Sequence, residues 1–145
     1  MLRIERMTAA RIDAVAALEQ SCFVHPWSRQ SLEDTISGKN AVFFAALEDG
    51  EVIGYAGMEV IVDEAYVFNI AVDERYRRRG TGYALVRELI TYGKKYGLCF
   101  ITLEVRESNV PAMSLYEKLG FIKVGERKEY YSDPTESAVL MTKYF

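Results

Sequence analysis

Apolar positions along this chain change period several times, and the changes mark out its elements. Leu2 and Ile4 alternate with charged residues, as one face of a short strand would. Further on the spacing lengthens. Ile12, Val15, Leu18 and Cys22 recur at helical intervals, and Thr8 stands where a cap would. His25-Pro26-Trp27-Ser28 interrupts that pattern, after which Ser28 can cap a short helix to about Ile36, ended by Gly38. Residues 41–47 and 52–62 read as a hairpin around Asp49-Gly50. A turn at Asp63-Glu64 leads into 65–72, an almost wholly apolar strand expected to be covered on both faces.

Residues 81–96 return to helical spacing, with Leu85, Leu89 and Tyr92 on one face and Gly97 as a stop. Residues 98–105 form another apolar strand. Pro111 suits the first turn of a helix reaching Leu119, with Gly120 closing it. Residues 121–131 and 138–145 complete the chain as a strand pair. The order is strand, two helices, three strands, helix, strand, helix, two strands. It predicts one α/β domain over residues 1–145: a mixed sheet of about seven strands, about four helices on both faces, and parallel pairing near its middle.

Composition narrows the function more than the fold. Half of the 145 residues are hydrophobic and the net charge is −3, so no overall basic field points to nucleic acid or an anionic membrane. The charged start gives no export signal, and no apolar run is long enough to span a bilayer, so a cytoplasmic protein is expected. Cys22 and Cys99 form no metal or redox motif and are expected to be reduced core residues; with one histidine, no metal site is expected.

The most informative segment is Arg77-Arg78-Arg79-Gly80-Thr81-Gly82, between a buried strand and a helix. Glycines let successive N–H groups converge on an anion, the helix N-terminus adds partial positive charge, and the arginines add formal charge. Alone, the run is equally a turn with solvated charges. Its context is more specific. Arg77-x-x-Gly80-x-Gly82 resembles the acetyl-CoA loop of the GNAT superfamily of N-acetyltransferases. Leu103-Glu104-Val105-Arg106, then Asn109, Leu115-Tyr116 and Leu119-Gly120-Phe121, is similar to that family's second signature. Tyr83 departs from the arginine common after the second glycine.

The resemblance implies a GNAT fold and acetyl-CoA as acetyl donor. Arg77, Arg78, Arg79, Gly80, Thr81, Gly82 and Tyr83 would hold the phosphates; Ile70, Ala71 and Val72 would hold the pantetheine arm like an added strand, with Asn109 beside it. It also implies Glu104 as general base and Tyr116 as general acid. Read alone, Glu104 suits a strand-end surface or paired residue and Tyr116 a core aromatic. Burial of Glu104 in its apolar strand would raise its pKa toward the range of a base.

A narrower resemblance, to family members that acetylate protein N-termini including that of a small-subunit ribosomal protein, rests on His25-Pro26-Trp27-Ser28, Phe68-Asn69-Ile70-Ala71-Val72, Leu103-Glu104-Val105-Arg106 and 127–131. It implies a peptide pocket containing Trp27, Tyr130 and Tyr131. Trp27 suits a core plug equally well, and strand alternation would let only one of the two tyrosines face such a pocket. His25 receives no role, and Glu129 and Asp133 read as surface charges. The competing functions are acetylation of a small amine or lysine side chain, a non-catalytic acetyl-CoA sensor, and a nucleic-acid module built on the arginines.

Overall fold

The computed structural model describes residues 1–145. Its strands are β1 (Leu2–Arg6), β2 (Ala41–Glu48), β3 (Glu51–Ile61), β4 (Glu64–Val72), β5 (Phe100–Arg106), β6 (Ile122–Tyr131) and β7 (Glu136–Tyr144). They form one sheet in the order β1-β2-β3-β4-β5-β7-β6, with β4 and β5 its parallel pair. The helices are α1 (Ile12–Cys22), α2 (Arg29–Ile36), α3 (Thr81–Lys95) and α4 (Val110–Lys118).

Alternation along β2 explains the two layers. Phe43, Ala45 and Leu47 join Val15, Leu18 and Leu32 in one buried cluster beneath α1 and α2. Val42, Phe44 and Ala46 join Leu85, Leu89 and Tyr116 in the other, beneath α3 and α4. Burial of this kind contributes roughly 25 cal/mol per Å² of apolar surface, so both helix layers are held mainly by the sheet faces.

Local chemistry sets the ends of these elements. Ser28 caps α2 by accepting the Ser31 N–H, as its position predicts. Thr8 makes no side-chain cap; a 3-10 turn at Ala9–Arg11 precedes α1 instead. The second hairpin turns at Val62-Asp63 rather than Asp63-Glu64, because the ladder closes at Ile61 opposite Glu64 and the first turn residue, Val62, takes φ +59°. Cys99 is exposed and its thiol donates to Asp63, which corrects its placement in the core; Cys22 is half-buried, and both cysteines are free.

Strand β4 departs most from expectation. Only Ala65 and Ala71 are buried, although the strand is nearly all apolar. The reason is topological. β4 pairs with β5 only from Glu64–Phe100 to Tyr66–Thr102. Beyond that point β4 stays on β3 to Val72, β5 stays on β7 to Arg106, and a wedge opens between them. Phe68 is the extra residue of a bulge opposite Gly57 and Met58. A Cβ at Gly57 would run into the Phe43 ring, which stacks on Phe68 at 5.8 Å.

Candidate functional site

Two cavities occupy the wedge. One, of about 550 Å³, lies between the α1–α2 loop, β4, β5 and the β6–β7 hairpin. The other, of about 950 Å³, lies between the end of β4, the start of α3 and α4. They share Phe23, Ile70, Arg106, Asn109 and Tyr116, so they meet at the mouth of the wedge.

One wall of the larger cavity brings backbone to it. Gly80 sits at φ +81° and starts α3 without a side-chain cap. The first helical bond there runs from the Ala84 N–H to the Gly80 C=O at 2.9 Å, so the amides of Thr81, Gly82 and Tyr83 precede it. Ile70, Ala71, Val72, Gly80, Thr81, Gly82 and Tyr83 all line this cavity. A Cβ at Gly80 would meet nothing within 4 Å, so its backbone angle, not crowding, demands glycine. An unpaired strand end beside a free helix N-terminus suits a long ligand that ends in phosphates.

The three arginines do not act together. Arg77 lines the cavity, but its Nε donates to the Val72 C=O at 3.0 Å and its guanidinium reaches the Cys22 sulfur, pinning the loop to β4. Arg78 lines the cavity from a left-handed position, φ +63°. Arg79 is absent from the lining, its guanidinium 5.2 Å above the Tyr76 ring. Asn109 also has a second duty. Its Oδ1 accepts the Ala112 N–H at 3.2 Å as the cap of α4, while the residue lines both cavities.

Tyr116 stands where the cavities meet and Glu104 lines only the smaller one, in opposite environments. Tyr116 is the buried residue of α4, and that burial, with Tyr131 nearby, pushes its phenol up to about 12. The expected burial of Glu104 is not found. It faces the smaller cavity, exposed where β5 has lost β4, with its carboxylate 3.3 Å from Arg127 Nε. The divergence that opens the site is what leaves this side chain uncovered.

Trp27, Tyr130 and Tyr131 all line the smaller cavity. Trp27 does so while packing edge-on to Phe68 at 5.7 Å, so it serves core and cavity together. Tyr130 and Tyr131 are not separated by strand alternation. The β6–β7 register shifts between Arg127 and Tyr131 and Glu129 takes φ +51°, which turns both rings inward, 5.1 Å apart. The neighbouring Glu104 carboxylate pushes the Tyr130 phenol up; burial first, then Glu104, pushes Tyr131 up to about 12. Asp133 is not a free surface charge: its carboxylate meets His25 Nε2 at 2.6 Å across the cavity rim.

Three residues to which the sequence assigns no role of their own, Arg106, Glu136 and Glu19, shape these walls. Arg106 donates to the Ser132 C=O, the Pro134 C=O and Glu136, and its guanidinium lies 4.4 Å from the Tyr131 ring centroid. Glu136 also accepts the Ser108 N–H, and that bond together with Arg106 holds its carboxyl below the usual range. Glu19 is fully buried. It lies seven residues after Ile12 and four after Val15, on the apolar face of α1, and a carboxylate at such a position was the available signal.

Comparison with known proteins agrees with this geometry. Residues 12–121 match the model of the Acetyltransferase (GNAT) family. The [Ribosomal protein bS18]-alanine N-acetyltransferase of Escherichia coli (strain K12) is 36% identical over 143 residues, 97% of this chain and 96% of that one. Its counterpart in Haemophilus influenzae is 37% identical over 144 residues, 97% of each. The crystal structure of the Escherichia coli ribosomal-protein-S18-alanine N-acetyltransferase superposes with a TM-score of 0.93 and 36% identity, covering 99% of this chain and 94% of that one. Ard1 from Thermoplasma volcanium follows with a TM-score of 0.88 at 26% identity, covering 99% and 97%. With the wedge, the glycine loop at the start of α3 and this likeness along nearly its whole length, the chain belongs to the GNAT family of acetyltransferases.

Proposed function

We propose that this protein transfers acetyl from acetyl-CoA to the N-terminal α-amine of a protein, with an alanine N-terminus of the bS18 kind as acceptor, in the bacterial cytoplasm. The observation that carries the proposal is the meeting of two cavities at Tyr116, one lined by backbone suited to a coenzyme and the other by aromatic rings suited to a peptide end. Near-full-length identity to the two bS18-alanine N-acetyltransferases supports the choice of acceptor. No helix is long and apolar enough to cross a membrane.

Acetyl-CoA lies in the larger cavity, its phosphates at the Thr81, Gly82 and Tyr83 amides and Arg78, its arm along Ile70–Val72 beside Asn109. The acceptor chain enters the smaller cavity past Trp27, Tyr130 and Tyr131. Only a neutral amine attacks a thioester. An α-amine with a pKa near 8 is neutral far more often at pH 7 than a lysine amine near 10.4, which favours an N-terminus. Glu104, exposed to the acceptor cavity, takes the proton that the amine sheds on attack, directly or through water.

Tyr116 completes the step as a donor. With its phenol pushed up to about 12 it stays protonated throughout the neutral range. Full proton transfer to a thiolate whose acid has a pKa near 8.5 is uphill by several units. Its contribution is therefore a hydrogen bond to the departing sulfur, stronger in the transition state than in the thioester.

Mass spectrometry tests the assignment. Peptides sharing one body, with free Ala, Ser, Met or Gly ends, are incubated with the protein and acetyl-CoA beside an N-blocked lysine peptide and spermidine. Acetyl on the α-amine, strongest for Ala, is expected. Transfer only to lysine or spermidine would discard the N-terminal assignment while leaving the coenzyme reading intact.

A further inference from the structure

Glu19 lies outside the chemistry just described, yet it is fully buried and accepts three hydrogen bonds. The Tyr55 hydroxyl and Asn69 Nδ2 donate to Oε1, the latter at 3.0 Å, and the Trp27 backbone N–H donates to Oε2 at 3.0 Å. None of these donors carries a positive charge. A buried carboxylate without a counter-ion is costly and persists only where its lone pairs are used. The nearness of Glu19 also raises the Tyr55 phenol, second to burial, so that phenol remains a donor.

What these donors belong to gives the arrangement its meaning. Tyr55 sits in the core on β3 and is absent from the cavity lining. Asn69 and Trp27 both line the acceptor cavity, one from the bulged part of β4 and one from the α1–α2 loop. Glu19 is therefore one anchor for two separate walls of that cavity, 8 residues away in sequence from one and 50 from the other.

We propose that Glu19 is a positioning residue for the acceptor cavity, holding the Trp27 loop and Asn69 in register by one carboxylate; this rests on the reading of that cavity as the acceptor site. A carboxylate is needed because donors approach both of its oxygens. A glutamine at this position has one oxygen. Turned toward Asn69, it leaves the Trp27 N–H facing an amide N–H. Turned toward Trp27, it forces the Asn69 amide to invert and present its other edge to the acceptor. Either orientation disturbs one wall while changing side-chain volume little.

The test is Glu19→Gln, with Tyr55→Phe as its control. Glu19→Gln is expected to raise the KM for an Ala-ended peptide about tenfold, the size of one lost hydrogen bond to a charged group. The KM for acetyl-CoA should stay within about twofold, because the donor cavity takes no part in this network. Trp27 is the sole tryptophan, so its emission reports the loop directly and should shift in Glu19→Gln. Tyr55→Phe should lower the melting temperature yet leave both peptide KM and Trp27 emission unchanged. Unchanged KM and emission in Glu19→Gln, or an equal KM rise in Tyr55→Phe, would overturn the proposal.

If Glu19→Gln fails to fold, Glu19→Asp keeps a carboxylate but withdraws it by one methylene, weakening its reach to Trp27 and Asn69 without setting a donor against a donor. The same KM and emission readouts then decide. A wild-type protein that acetylates no peptide would count against the acceptor reading instead, and the Trp27 emission shift alone would still decide whether Glu19 holds the loop.

Discussion

The two cavities differ in what builds them. About half of the donor side's lining comes from a single run, Ile70 to Tyr83, which brings backbone to it: the end of β4, a left-handed glycine and the first amides of α3; α4 supplies most of the rest. The acceptor side is assembled from five separated stretches of chain, held by bonds that span it, such as Arg106 to Ser132 and Glu19 to Asn69. A backbone site tolerates changes of side chain but not of φ. A side-chain site depends on each anchor. Substitutions should therefore separate the two sides cleanly.

The largest effect is expected at the carboxylate of the acceptor side. Glu104→Gln should lower kcat for an Ala-ended peptide by roughly 10²- to 10⁴-fold while acetyl-CoA binding, measured by calorimetry, stays unchanged. Because Glu104 acts on the proton shed during attack, wild-type and variant rates should both rise with pH until the α-amine is neutral, past about 8, with the deficit present throughout. A rate equal to wild type across pH would remove Glu104 from the reaction.

Next comes the backbone of the donor side. Gly80→Val places a β-branched residue at φ +81° with open space around its Cβ, so strain is the only insult. A cost of roughly 1–2 kcal/mol corresponds to about a tenfold weaker Kd for acetyl-CoA, with the peptide KM unchanged. A peptide KM that rose in parallel would mean that the cavities are coupled through the loop and would break the contrast.

This difference also explains what could be read before the fold was known. The donor loop is contiguous, so Gly80, Thr81 and Gly82 announce themselves by spacing, and the order of strands and helices follows from periodicity. The acceptor side carries no such signal. The inward turn of both Tyr130 and Tyr131 depends on a bulge at Glu129, and the exposure of Glu104 and of β4 depends on where two parallel strands part. Those are properties of pairing between distant segments, which periodicity within one segment does not encode. Arg106 was legible only as part of a motif; its hold on the β6–β7 hairpin was not.

That hold gives a smaller, acceptor-specific effect. Arg106→Lys keeps the charge but loses the fork that reaches Ser132, Pro134 and Glu136 at once. The peptide KM should rise about threefold to tenfold, with acetyl-CoA affinity nearly constant. Acid should loosen the same tie. Glu136 has a folded pKa below its unfolded value, so its stabilising effect is present above the usual carboxylate range and is lost as pH falls through the lowered value. Hydrogen exchange of the hairpin near Ser132 should accelerate over that acid window, and should do so at neutral pH in Arg106→Lys.

The smallest expected effect is the most pointed test of the donor side. Arg77, Arg78 and Arg79 look equivalent in sequence, yet the fold gives them different work: Arg77 is bound to Val72, Arg78 lines the cavity, and Arg79 stacks on Tyr76 outside it. If backbone amides hold the phosphates, an exposed charge beyond the lining adds only a screened, long-range attraction. Arg79→Ala should then change the acetyl-CoA Kd by no more than about twofold, the usual range for a surface substitution. What difference remains should fade as salt is raised from about 10 mM to 150 mM, as the Debye length falls from roughly 30 to 8 Å. A loss of tenfold or more that persists at high salt would place the Arg79 guanidinium on the ligand. The donor side would then rely on side-chain charge as the acceptor side does, and the contrast between the two cavities would fail.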